Sequence, residues 1–156
     1  MLAVERWLMK RDSVDRENYA QGKADGRLEP EINANIRSIV AEYAVAKATN
    51  KSWNVPWYPN AMHPYRKNLP DVGERGEVRT VRTQDAFPVW RKDSGKTIIG
   101  CRILDTEYFS EVEIFGYVDA DSVIGRDELF DSYSNCWRVP FDQMTQFAEP
   151  THLIWN

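Results

Sequence analysis

The sequence predicts an α+β domain: a helix, then a mixed β-sheet of three or four strands, then a short helix and an edge strand. Three observations predict it. One long segment repeats its apolar residues at three- and four-residue steps. Three later segments are short, rich in β-branched residues and separated by turn signals. The 156 residues suit one domain of ordinary size, and a hydrophobic content of 42% with six Trp argues against disorder.

In chain order, residues 2–20 carry Leu2, Val4, Trp7, Leu8 and Val14 among many charges, a loose helical pattern with a weak apolar face. Residues 21–30 hold two glycines and a proline, a connector. Residues 1–30 are therefore expected to form an N-terminal helical arm and linker, docked on the body or used in oligomerisation, with residues 31–156 as one domain. The strongest helix is expected over Glu31 to Thr49. Ile32, Ile36, Ile39, Val40, Tyr43, Ala44 and Lys47 mark its face, alanines fill the gaps, and Asn50 serves as its C-terminal cap. Residues 52–70 hold four prolines and read as an ordered aromatic loop.

Strands follow. Glu77 to Thr83 alternates, Thr97 to Leu104 is a nearly continuous apolar run suited to a central strand, and Glu111 to Asp119 alternates as a strand with one wet face would. Asp93-Ser-Gly-Lys96 and Asp105-Thr-Glu107 are turn signals between them. A short helix is expected from Gly125 to Phe130, and Cys136 to Phe141 reads as an edge strand that Pro140 ends.

Composition narrows the function. Charges interrupt the first ten residues where a secretory leader would be apolar, and no apolar run reaches 18 residues, so the expectation is a cytoplasmic protein with no membrane partner. Cys101 and Cys136 supply no disulfide framework, and His63 and His152 lack the partners of a zinc site. No Gly-rich phosphate loop and no nucleophile-elbow serine is present. Net charge is -4, which argues mildly against a nonspecific nucleic-acid binder. The average hides an asymmetry: residues 63–102 carry nine basic against five acidic side chains, residues 103–156 two against eleven. One face could meet phosphate while another repels it.

The chemistry concentrates in Pro70-Asp-Val-Gly-Glu-Arg-Gly-Glu-Val-Arg79. A turn on Gly73 and Gly76 leads from Asp71 into Glu77-Val78-Arg79, where alternation puts Glu77 and Arg79 on one strand face and Val78 on the other. An Asp and a Glu on neighbouring strands can reach one hard cation, with the Val78 carbonyl as a third oxygen. Mg²⁺ and Mn²⁺ favour such oxygen sets. Asp119 and Asp121 bracket Ala120 and read as a turn or cap.

Pro70-Asp71 followed by Glu77-Val78-Arg79 resembles the PD-(D/E)XK phosphodiesterase superfamily, with Arg79 where the final Lys usually stands. The stretch Ala41-Glu-Tyr-Ala-Val-Ala-Lys47, the later Gly116-Tyr-Val-Asp-Ala120 and Trp137-Arg-Val-Pro140 make residues 31–145 look like small phage-encoded members. The resemblance implies a restriction-endonuclease-like core and a metal-dependent nuclease acting on DNA. Asp71 and Glu77 would hold Mg²⁺ or Mn²⁺ with the Val78 carbonyl, and Glu42 would bind a second ion or orient the attacking water. Arg79 cannot act as a general base, since a guanidinium stays protonated, but it can pair with phosphate. Tyr65, Arg66, Lys67 and Arg82 are candidate nucleic-acid contacts, with Trp53, Trp57 and Tyr58 as stacking platforms or as loop packing, and Arg91, Lys92 and Lys96 as a possible phosphate track. Two alternatives stand beside this: a catalytically degenerate nucleic-acid- or protein-binding protein on the same fold, and an acidic mimic that occupies a host enzyme.

Overall fold

The computed structural model describes residues 31–54, 69–82, 84–147 and 152–154. The expected N-terminal arm, residues 1–30, lies outside them, as do His63 and most of the aromatic loop. The architecture is α+β. Among the described residues, helix α1 (Glu31–Ala48) is followed by seven strands: β1 (Gly76–Val81), β2 (Ala86–Val89), β3 (Thr97–Ile103), β4 (Glu111–Asp119), β5 (Phe130–Asp131), β6 (Cys136–Pro140) and β7 (His152–Ile154).

α1 ends as the sequence predicts. Asn50 adopts φ 51, and Lys51 N–H reaches the Ala46 carbonyl at 3.0 Å while Asn50 N–H reaches that of Lys47 at 3.3 Å, the paired bonds that close a helix C-terminus. The buried face differs from expectation. Ala41, Glu42, Ala44, Val45 and Ala46 are buried, whereas Ile36 and Ile39 are half-buried and Tyr43 is exposed. Small side chains let the helix axis approach the sheet, so Ala41 and Ala46, read as filling gaps, join the expected Ala44 on the buried face.

The larger sheet runs in the order β1-β3-β4-β7, with β1 parallel to β3 and the other pairs antiparallel. α1 covers one face of it. Ala41, Ala44 and Val45 pack there against Val78, Ile99, Cys101, Ile103, Val112 and Ile114. The opposite face carries a second sheet, β2-β6-β5, all antiparallel, whose Phe87, Val89, Trp137 and Val139 pack against Val81 and Ile98. β3 is buried on both faces, as its apolar run predicts. The approach of the two sheets needs Gly100, where a Cβ would lie 2.4 Å from the Phe87 ring. A register shift between Gly100 and Cys101 places a bulge in β4 near Phe115, so Ile114 and Tyr117 both face the helix side.

Three expectations change. Cys136–Pro140 is the middle strand of the small sheet rather than an edge, because β2 pairs along one side of it. β2 itself is invisible to the pattern: it is four residues long and contains Pro88, tolerated because β2 is an edge. The expected short helix over Gly125 to Phe130 is a single 3₁₀ turn, Asp127–Leu129, and a second such turn, Ala120–Ser122, precedes it. β1 stops at Val81, short of Thr83.

Candidate metal centre

The site lies at the open edge of β1. Gly73 adopts φ 59, and Val72 and Gly76 exchange backbone hydrogen bonds of 2.9 Å, turning the chain tightly into β1. Gly76 is required there, since a Cβ would meet the Val72 carbonyl oxygen at 2.6 Å. Asp71 stands just before this turn and belongs to no ladder strand, a correction to the neighbouring-strand expectation. Its segment is pinned instead by Asn54. The Asn54 N–H donates to the Asp71 carbonyl at 3.0 Å, and the Asn54 amide nitrogen donates to the carbonyls of Pro70 and Gly73 at 3.0 and 2.7 Å.

The side chain of Asp71 points at β1. Its Oδ2 accepts the Val78 N–H at 2.9 Å, and its Oδ1 accepts no hydrogen bond among the described residues. The N–H and carbonyl of one strand residue face the same side, so the Val78 carbonyl opens on the same edge. Burial first, then the charges of Glu42 and Glu77, push the Asp71 carboxyl up to about 7, against the Val78 N–H and the Arg79 charge.

The two other acids approach Asp71 from different sides. Glu42 sits on the buried face of α1, where its Oε1 accepts the Ser38 hydroxyl at 2.9 Å and its Oε2 the Trp53 indole N–H at 3.4 Å. Glu77 shares with Arg79 and Val81 the strand face that turns toward the small sheet, opposite the face that carries α1. Its two oxygens meet two cations: Arg79 at 2.9 Å and Lys96 at 2.7 Å. Burial works to raise Glu77, and these partners outweigh it, holding its carboxyl below the usual range. Among the described residues, no three His, Cys, Asp or Glu side chains are arranged to hold a metal ion as they stand. The charges of both glutamates act on Asp71.

Arg79 is more constrained than the sequence suggests. Its second nitrogen pairs with Asp93 at 2.8 Å, its guanidinium lies 5.0 Å from the Trp90 ring centroid, and its side chain is 14% exposed. Asp93 is fully buried and also accepts the Trp90 N–H at 2.9 Å. Burial opposes the Arg79 charge, but Glu77 and Asp93 hold it protonated more firmly than in water. Arg79 is thus a strut joining β1 to the turn before β3.

Of the other candidates, Tyr65, Arg66 and Lys67 lie outside the described residues, as do Trp57 and Tyr58. Arg82 is exposed beyond the far end of β1, about 16 Å from Glu77 by strand rise, so it does not join the cluster. Trp53 packs on Tyr43, ring centroids 5.0 Å apart, and bonds Glu42, which makes it loop packing. Asp121 binds the Ser94 hydroxyl and the Gly95 N–H, and Asp119 pairs with Arg75, so both act in turns. Sequence reasoning missed Asn54 and Asp93, and it gave Lys96 only a place on a phosphate track.

No family model, no curated protein and no solved structure matches this chain. Among the described residues no helix is long and apolar enough to cross a membrane.

Proposed function

We propose that the chain is a cytoplasmic, metal-dependent phosphodiester hydrolase of the PD-(D/E)XK kind, of the type phages encode, acting on DNA. The observation that supports this best is the state of Asp71. It is a buried carboxylate anchored to the Val78 N–H, with an oxygen that accepts no hydrogen bond among the described residues and the charges of Glu42 and Glu77 close enough to raise its proton affinity. A buried acid in that field is relieved either by a proton or by a cation.

The donor set fits Mg²⁺ or Mn²⁺, which take hard oxygen ligands. Asp71, Glu77 and the Val78 carbonyl would hold the ion, with Glu42 on the helix side orienting water or a second ion. When bound, such an ion supplies Lewis acidity and neutralises charge on the phosphodiester. Arg79, paired with both Glu77 and Asp93, would hold Glu77 in place. Glu42 is itself held by Ser38 and Trp53, which orients its carboxylate.

A second reading has its own support: both Glu77 oxygens are already met by cations of the same chain. That is the state of a worn site, and it favours a binding protein on the same scaffold. Incubation with plasmid and with single-stranded DNA in Mn²⁺, then in EDTA, separates the two. Metal-dependent cleavage lost in Asp71→Ala supports the hydrolase, and cleavage that survives in Asp71→Ala overturns it. DNA binding without cleavage selects the second reading, and neither activity selects the acidic mimic.

A further inference from the structure

Lys96 is placed unlike any other cation in the site. Its backbone is fixed on both sides: its N–H donates to the Asp93 carbonyl at 2.9 Å, and its own carbonyl accepts the Ala120 N–H at 3.0 Å. Its ammonium ends on Glu77 Oε2 at 2.7 Å, and this is its one ion pair among the described residues. Arg79, on the other Glu77 oxygen, is locked by buried Asp93 and by the Trp90 ring. The two cations on Glu77 therefore differ in how readily they leave. An arginine held in a planar fork by two carboxylates must break both contacts. A lysine on a four-carbon stem gives up one.

We propose that Lys96 is an internal cation occupying the metal position of Glu77, and that a divalent ion binds this protein by displacing it. The metal-centre reading underlies this proposal. Loading exchanges one ion pair for another: Glu77 Oε2 passes from the ammonium to the metal, Arg79 keeps Oε1, and Lys96 is released at the edge of the cluster. The released ammonium, 22% exposed even when paired, then becomes free to meet an anionic ligand beside the metal. Lys96 thereby couples metal occupancy to anion binding, acting as a positioning residue on Glu77.

The test is Mn²⁺ affinity, read by isothermal titration and by the loss of the free Mn²⁺ electron paramagnetic resonance signal, with no nucleic acid present. The proteins are the wild type, Lys96→Met, Lys96→Gln and Asp71→Asn. Both Lys96 variants should bind Mn²⁺ about tenfold more tightly than the wild type, the worth of the one charge-assisted bond no longer given up. Binding that appears only in the Lys96 variants also supports the proposal. Equal or weaker binding in both overturns it, and if Asp71→Asn still abolishes wild-type binding the metal-centre reading survives. Absence of Mn²⁺ binding in all four proteins, or binding that Asp71→Asn leaves intact, overturns both.

Discussion

Replacing Asp71 by Asn removes a charge from the middle of three carboxylates while keeping an oxygen for the Val78 N–H. The magnitude follows from proton linkage. The folded carboxyl binds its proton up to about pH 7, against an ordinary value of 3.8. Between those values the native state holds a proton that the unfolded chain has released, so stability falls as pH rises through this window and levels off above it. The gap is about three pH units, each worth about 1.4 kcal/mol, so the ionised carboxylate costs the metal-free fold about 4 kcal/mol at pH 8.5. Asn carries no such cost. At pH 5 the same linkage leaves about 1.6 kcal/mol, because the native carboxyl is then protonated. Urea unfolding of both proteins in EDTA at pH 5, 7 and 8.5 measures it, and the pH-dependent part cancels any fixed packing difference. The advantage of the variant should shrink by about 2–3 kcal/mol from pH 8.5 to pH 5. An advantage that is constant across this range, or that grows as pH falls, would refute the reasoning.

Arg79→Met strands the fully buried Asp93, and urea unfolding should show a loss of about 3–5 kcal/mol, more than Lys96→Met loses, since the Lys96 pair is only partly buried. Gly100→Ala forces a methyl into the Phe87 ring and should cost about 1–3 kcal/mol in the same assay, because that ring is fully buried and has nowhere to move. Gly76→Ala drives a methyl into the Val72 carbonyl, so it should disturb the Asp71 turn, and Mn²⁺ affinity should fall with it. Asn54→Ala removes two side-chain bonds to that turn and should lower stability by about 1–3 kcal/mol, read by thermal unfolding.

The helix and three strands of the larger sheet were legible because each is a local signal. Ile98, Ile99, Cys101 and Ile103 make an apolar run, and Val112 and Ile114 alternate with glutamates. The spacing of Asp71 and Glu77 was likewise local, across one glycine turn. Partnerships across chain distance were not legible. Arg79 meets Asp93 and Glu77 meets Lys96 only because β1 lies parallel to β3 in a register that sets Glu77 against Ile98. No periodicity encodes that pairing, so Asp93 looked like an ordinary turn residue. The helix face was misread for a related reason. Hydropathy ranks Ile36 and Ile39 above Ala41 and Ala46, but close approach to a sheet rewards small volume. The small sheet escaped notice because two of its strands are two and four residues long.

The bond between the Asn54 N–H and the Asp71 carbonyl has a corollary. It clamps Asn54 directly to Asp71, so the distance between these two residues is set by the bond and not by the number of residues between them. Lengthening a chain between clamped ends is cheap, about 0.6 kcal/mol for each doubling. Sequence added between Asn54 and Asp71 should therefore cost the fold little, because the clamp itself keeps the acid in register with β1.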